Sequence, residues 1–324
     1  MRIAILDDYQ NAARGFADWD RLERDHGAEI TVFDEYLGAG DDEVVAALDG
    51  FDAVVAMRER TPFTAARLAR LPKLGLIVST GRRNASIDLA AAHEHGVVVS
   101  HTGYLPSPAA EHTWALILAA VRRLDVELGS AGRGWTADAG WQRTVGRGLE
   151  GRTLGVLGLG NLGARVARVG LAFGMDVIAW SEHLTAERAS EHGVRRVEKE
   201  ELFAAADILT VHLVLSRRTR GLVGEREFAL MKPDAIFVNT SRGPIADEHA
   251  LIAALEEDRI GMAALDVFDT EPLPAGHPLR LAPRTVLTPH IGYVTREQYE
   301  VFYRDAVEGI AAWAAGRPIR VMEG

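Results

Sequence analysis

Along the first hundred residues, short uninterrupted apolar runs alternate with stretches of helical spacing. RIAIL (2–6), EITVF (29–33), DAVVAM (52–57), LGLIVS (74–79) and GVVVS (96–100) lack the polar alternation of a strand with one wet face. Strands of that kind are buried on both faces, as in a parallel sheet with crossover helices. Between them, DDEVVAALD (41–49) and TPFTAARLARLP (61–72) carry helical spacing, with Thr61, Pro62 or Thr64 as start signals. One long helix is expected from about Ala109 to Leu128, apolar nearly all round as far as Leu118. The stretch GSAGRGWTADAGWQRTVGRGLEG (129–151) that follows reads as loop and turn.

At Thr153 the alternation resumes with TLGVLG (153–158), MDVIAW (175–180), DILTVHLV (207–214), AIFVNTS (235–241), GMAALDVF (261–268) and TVLTPH (285–290). No fixed-period repeat interrupts it, and the segment from Tyr293 to the C-terminus reads as largely helical. The pattern predicts an α/β chain of two parallel-sheet domains, each Rossmann-like or flavodoxin-like, with the active site in the cleft between them.

Composition narrows the chemistry. The 324 residues are 48% apolar and 25% charged, which is globular composition and enough chain for about two cores. Cysteine is absent, so disulfides, thiolate metal sites and cysteine nucleophiles are excluded. The N-terminus MRIAILDDYQ enters a strand pattern directly, without the basic region, long apolar core and small-residue cleavage site of a signal peptide. The longest apolar runs, such as WALILAAV (114–121), are far shorter than the roughly 18 residues of a membrane span. A cytoplasmic protein that does not span a membrane is expected. Net charge is −10 with scattered basic residues, which argues against a nucleic-acid partner and leaves any anionic ligand to a few local arginines. HEH at 93–95 has the wrong geometry for one metal ion, and no metal cluster is expected.

The glycine pattern brings in a ligand. In TLGVLGLGNLGARVARVGLAFG (153–174), Gly158, Gly160 and Gly163 form G-x-G-x-x-G around Asn161 and Leu162, directly after a strand and opening a helix. That spacing gives a tight turn, a backbone that a pyrophosphate can approach, and close packing of helix on sheet. The next strand should end in an acid that holds the adenosine ribose, but position 181 is Ser, followed by Glu182 and His183. No arginine lies between 180 and 187 to hold a 2′-phosphate, and Glu182 would repel one. The cofactor reading is therefore NAD(H), with NADP(H) left open.

Three further residues follow the ends of later strands: Arg242 in VNTSRGPIADEHAL (238–251), Glu271 in ALDVFDTEPLP (264–274) and His290 in LTPHIGY (287–293). Ligands of parallel α/β sheets bind beyond the carboxyl ends of the strands, so all three come from the edge that carries the glycine turn. Singly, each residue reads as a surface or packing residue. Together they suit hydride chemistry: an arginine for a carboxylate, a histidine for a proton, and a carboxylate to orient the ring and favour its charged form.

With these motifs the chain resembles the D-isomer-specific 2-hydroxyacid dehydrogenase family, phosphoglycerate dehydrogenase included. AAEHTWALIL, GRTLGVLGLGNLG, MKPDAIFVNTSRGPIADEHAL, GMAALDVFDTEPLP and LTPHIG carry the resemblance over nearly the whole chain. It implies that Arg242, Glu271 and His290 form a catalytic triad and that Asp266 contacts the nicotinamide carboxamide. It also implies that His212 and Thr240 line the cofactor cleft, and that the helix after Ala109 packs in a homodimer. Residues 1–100 with 293–324 would form the substrate domain, and 101–292 the NAD(P)-binding domain. The implied reaction moves hydride between NAD(P)H and a small anionic 2-oxo acid, giving the D-2-hydroxy acid.

Two positions depart from the family pattern. Ser181 replaces the usual aspartate, and the substrate loop, often G-V-G-V-D-N, reads GRRNAS before Ile87 and Asp88. Amides near Gly81 are expected to hold the substrate carboxylate. Arg58, Arg82 and Arg83 are candidates for a second anionic group, or else are solvated or bridged to Glu59 and Asp88. Glu271 argues against a formate dehydrogenase, where glutamine takes that place. The competing class is a dinucleotide-sensing regulatory protein on the same fold. His101, His112 and His249 read as ordinary helix or loop residues, Trp135 and Trp141 as subunit-surface residues, and Asp7, Asp8 and Tyr9 as strand-end caps or residues near the cleft.

Overall fold

The apolar runs form two parallel sheets in the computed structural model, which describes residues 1–131 and 141–323. Trp135 lies outside the described residues. Two compact units result: residues 1–105 with 294–324, and residues 106–293. The sequence reading divides the chain at 100/101 and 292/293.

The first unit carries β1 (Arg2–Ile5), α1 (Asp20–His26), β2 (Glu29–Val32), α2 (Asp41–Leu48), β3 (Ala53–Ala56), α3 (Ala65–Leu68), β4 (Leu76–Ser79), α4 (Leu89–Glu94) and β5 (Val98–His101). Its sheet order is β2-β1-β3-β4-β5, every pairing parallel. Central strands β3 and β4 are buried at every position, which is why their sequences show no alternation.

The second unit begins with α5 (Ser107–Val121) and α6 (Leu124–Ala131). Apolar spacing predicts a single helix over about 109–128, but the chain breaks between α5 and α6, with Arg123 at φ 55°. The guanidinium of Arg123 is held bidentate on Asp125, at 3.1 Å for each bond. No Gly or Pro marks the stop, and the apolar spacing continues on both sides, so periodicity alone could not show it. Then follow β6 (Thr153–Leu157), α7 (Asn161–Ala172), β7 (Asp176–Trp180), α8 (Ala186–Ser190), β8 (Arg195–Arg196), α9 (Lys199–Ala205), β9 (Ile208–Val211), α10 (Glu225–Leu230), β10 (Ile236–Asn239), α11 (Glu248–Glu256), β11 (Met262–Leu265) and β12 (Thr285–Leu287). The sheet order is β12-β11-β10-β9-β6-β7-β8, again parallel. The two-residue edge strand β8 has no apolar run to announce it.

The chain ends in the first unit with α12 (Arg296–Ala314). Thr295 caps it by accepting from the Gln298 amide, and its buried face holds Tyr299, Phe302, Tyr303, Ala306 and Ile310 at helical spacing. No helix among the described residues is long and apolar enough to cross a membrane.

Candidate active site

In the second unit the apolar strands stop one to three residues before their polar candidates. Gly158 follows β6, Ser181 follows β7, His212 follows β9, Thr240 to Arg242 follow β10, Asp266 follows β11 and His290 lies just past β12. All the strands are parallel, so these residues gather at one edge. The sheet order reverses at β6, with β7 on one side and β9 on the other, which is where a crevice forms in such sheets.

The glycine turn has the space the sequence demands. Gly158 has φ +105°, and a Cβ there would lie 2.7 Å from the His212 carbonyl oxygen. A Cβ on Gly163 would lie 2.1 Å from the Gly158 carbonyl oxygen, so helix and strand touch through that hydrogen. Gly160, the N-cap of α7, differs: a Cβ there would meet nothing within 4 Å, and no side chain caps the helix. Open space in front of an uncapped helix start, next to Asn161 and Leu162, fits a pyrophosphate held by backbone amides. His212 binds Thr210 Oγ1 at 3.0 Å, and burial pushes its imidazole down to about 4, so the ring is neutral near pH 7. Thr240 Oγ1 pairs with Thr113 Oγ1 at 2.8 Å.

His290 and Glu271 meet directly. Nδ1 of the histidine lies 2.5 Å from Glu271 Oε2, and the side chains are 15% and 27% exposed. Glu271 Oε1 accepts from the Phe268 amide at 2.9 Å, which fixes the carboxylate, and the Tyr293 ring stands edge-on to the imidazole at 5.7 Å. His290 itself is at φ 53°. The left-handed backbone turns its ring out of the strand direction, and occupied Nδ1 leaves Nε2 as the free edge for proton transfer.

Arg242 sits on the neighbouring loop. Asn239 clamps that loop, accepting from the Ser241 amide and donating to the Arg242 carbonyl, both at 3.0 Å. The Arg242 guanidinium donates to Ser241 O at 2.7 Å. Gly243 presses against the loop that carries Glu271, where a Cβ would lie 2.1 Å from the Phe268 carbonyl carbon. Arg242 and Glu271 thus ride on loops in backbone contact.

Asp266 is 1% exposed, and its oxygens are engaged inside the unit. Oδ1 accepts from Thr288 Oγ1 at 2.6 Å and the Ile291 amide at 2.9 Å, while Oδ2 accepts from the Gly292 amide at 2.8 Å. His112 Nε2 lies 3.2 Å from Oδ1 and 2.9 Å from Thr288 Oγ1. Burial alone would raise this carboxyl, but the hydrogen bonds from His112 and Thr288 outweigh it and hold the group below its ordinary range. Asp266 therefore anchors the segment that displays His290. His112, read from sequence as an ordinary helix residue, belongs to this network. Its partner Thr288 is distant in sequence, and no local spacing signals the pairing.

In the first unit, Arg58 follows β3 and Gly81 follows β4, at adjacent strand ends. Arg58 is at φ 53° and its guanidinium donates to Thr80 O at 3.0 Å, lies 5.6 Å from the Tyr104 ring centre and stands 3.9 Å from Glu59. A Cβ on Gly81 would lie 1.9 Å from Arg58 Nη1, so the glycine makes room for the arginine. The Gly81 amide donates to Thr102 Oγ1 at 2.8 Å, so this particular amide is already used within the unit. Arg82 and Arg83 are exposed, and Asp88, expected as a bridging partner, instead caps α4 through the Ala91 amide. Asp7 takes hydrogen bonds from Thr61 and Tyr9, and Asp8 from the amides of Ala12 and Ala13, as strand-end caps do. Trp141 is 62% exposed. Among the described residues no group of three His, Asp or Glu could hold a metal ion.

Comparison with known proteins agrees with this architecture. Residues 114–292 match the family model described as D-isomer specific 2-hydroxyacid dehydrogenase, NAD binding domain. The chain is 42% identical over 256 residues to a glyoxylate reductase of Aeropyrum pernix, covering 77% of this chain and 76% of that one. It is 35% identical over 300 residues to a D-3-phosphoglycerate dehydrogenase of Archaeoglobus fulgidus, covering 92% of this chain but only 55% of the relative. Among solved structures, a phosphoglycerate oxidoreductase of Vibrio cholerae O395 superposes with TM-score 0.91 at 38% identity, over 98% of this chain and 99% of that one. The chain belongs to the D-isomer specific 2-hydroxyacid dehydrogenase family.

Proposed function

We propose that this protein is an NAD(P)-dependent D-2-hydroxyacid dehydrogenase that reduces a small 2-oxo acid and runs the reverse oxidation. The observation that carries the proposal is the 2.5 Å contact between His290 and Glu271, on loops that also hold Arg242, at the edge where the glycine turn opens. A bound nicotinamide dinucleotide supplies the hydride; Gly158, Gly160, Asn161, Leu162 and Gly163 would hold its pyrophosphate, and Ser181, Glu182, His212 and Thr240 would line its path. Protonated His290 gives a proton from Nε2 to the ketone oxygen. Glu271 holds the opposite ring nitrogen and balances the ring's charge, and Arg242 grips the substrate carboxylate and polarises the ketone. Asp266 keeps the His290 segment in place.

On the first unit, Arg58, Arg82, Arg83 and the loop amides beyond Gly81 are assigned to an anionic group of the substrate. Specificity constants for glyoxylate and pyruvate, set against phosphonate-bearing or dicarboxylic 2-oxo acids, test this in the parent chain and in Arg82→Ala/Arg83→Ala. A preference for the small mono-acids that the substitutions leave untouched would remove those arginines from the assignment. The reaction itself is tested by NADH and NADPH turnover with the same panel. Nucleotide binding without turnover of any 2-oxo acid would overturn the enzyme reading in favour of a dinucleotide-sensing protein.

A further inference from the structure

The ribose end of the dinucleotide site has Ser181 in place of a carboxylate, and sequence alone supplies no arginine near it. The sheet supplies one. β7 and β9 flank β6, so the segments leaving their carboxyl ends rise on either side of the glycine turn. They meet at an ion pair: Arg218 Nη1, from the segment after β9, lies 3.2 Å from Glu182 Oε2, from the segment after β7.

The Arg218 segment is built by its own hydrogen bonds. Ser216 N donates to Thr219 Oγ1 at 2.8 Å, Thr219 Oγ1 to Val214 O at 2.7 Å, and Arg220 N to Ser216 O at 3.0 Å. This turn leaves Arg217 and Arg218 exposed. Arg218 and Glu182 are 70% and 56% exposed, and ion pairs so open to water hold their partners weakly. A phosphate dianion offers a guanidinium two charge-assisted bonds and about twice the charge of a carboxylate, whereas Glu182 meets Arg218 through one exposed contact. Ser181 adds a hydroxyl that can donate to a phosphate oxygen and carries no charge to repel it. Arg217 adjoins Arg218 in the chain and adds a second exposed positive charge to that segment.

We infer that Arg218 recognises the 2′-phosphate of NADP(H), exchanging Glu182 for the phosphate, and that this chain binds NADPH more tightly than NADH. The inference rests on the dehydrogenase reading above and names the cofactor class and the residue that selects it. Glu182 is the competing anion, so its removal should favour the phosphorylated cofactor further.

The test is titration of the full chain with NADPH and with NADH, followed by quenching of tryptophan fluorescence. In the parent protein NADPH should have the lower Kd. Arg218→Ala should raise the NADPH Kd by about tenfold or more while moving that of NADH less than about twofold. Arg218→Lys should fall between the two, Glu182→Gln should tighten NADPH, and Ser181→Asp should reverse the preference. Tighter NADH in the parent, or equal effects of Arg218→Ala on both cofactors, would overturn the inference and leave the dehydrogenase reading standing. Failure of both cofactors to bind would overturn both.

Discussion

His290, Glu271 and Asp266 are each held by partners that limit what they can do. Glu271 engages Nδ1 of His290, which leaves Nε2 as the nitrogen proposed to carry the transferable proton. His290→Gln keeps a polar side chain but removes the transferable proton, so turnover should fall by about 10²- to 10⁴-fold while dinucleotide binding persists. Near-parent turnover in a steady-state assay would remove the acid/base role. Asp266 acts one step back, through the loop. In Asp266→Asn, an amide NH2 must face either the Gly292 amide or the Thr288 and Ile291 donors, and a buried donor is left facing a donor. We expect a loss of about 1–3 kcal/mol in stability and a fall in kcat as the His290 segment loosens. The measurement is urea unfolding beside single-turnover rates; unchanged values for both would show that the segment holds itself. Because the Asp266 carboxyl is held below its ordinary range, its stabilisation is present above that range and disappears as pH drops through the folded value.

At the scale of elements, two glycines separate folding from function. Gly243 faces backbone: a Cβ would lie 2.1 Å from Phe268 C and 2.6 Å from Asp269 N, and neither can rotate away. Gly243→Ala should push apart the loops of Arg242 and Glu271, costing about 1–3 kcal/mol of stability together with activity. Gly160 faces open space at a φ of −88°, which alanine adopts freely. Gly160→Ala should change stability by less than about 0.5 kcal/mol yet weaken dinucleotide binding, because the methyl group would enter the space proposed for the pyrophosphate. Thermal unfolding and cofactor titration of both variants decide this; a destabilised Gly160→Ala that binds normally would refute it. Most strands were legible because burial on both faces writes continuous apolar runs, as in β3 and β4. The α5/α6 break and the edge strand β8 were not, since a left-handed Arg123 and a pair of arginines leave no apolar or Gly/Pro mark.

At the level of global stability, one contribution to the pH response comes from His212, whose imidazole folding partly withdraws from water. His212 titrates near 6.5 when unfolded and near 4 when folded, so between those values the unfolded chain binds the extra proton. Stability from this residue is complete above about pH 6.5 and is lost as pH falls toward 4, an effect on the order of 3 kcal/mol. In His212→Gln the urea midpoint of the second unit should depend less steeply on pH across that window. An identical pH slope in variant and parent would show that the ring is not enclosed.

Two parallel sheets, and the strand-end positions of Gly158, Arg242 and His290 along one edge, could be read from local sequence. That was possible because buried strands and strand-end turns leave local marks in residue type and spacing. Folding alone closes His112 on Thr288 and Asp266, turns the Asp266 oxygens to the His290 segment, and brings Arg218 to Glu182. Those contacts join residues far apart in the chain, and the strand order that brings them together is set by the packing of whole helices and sheets, which no short stretch of sequence encodes.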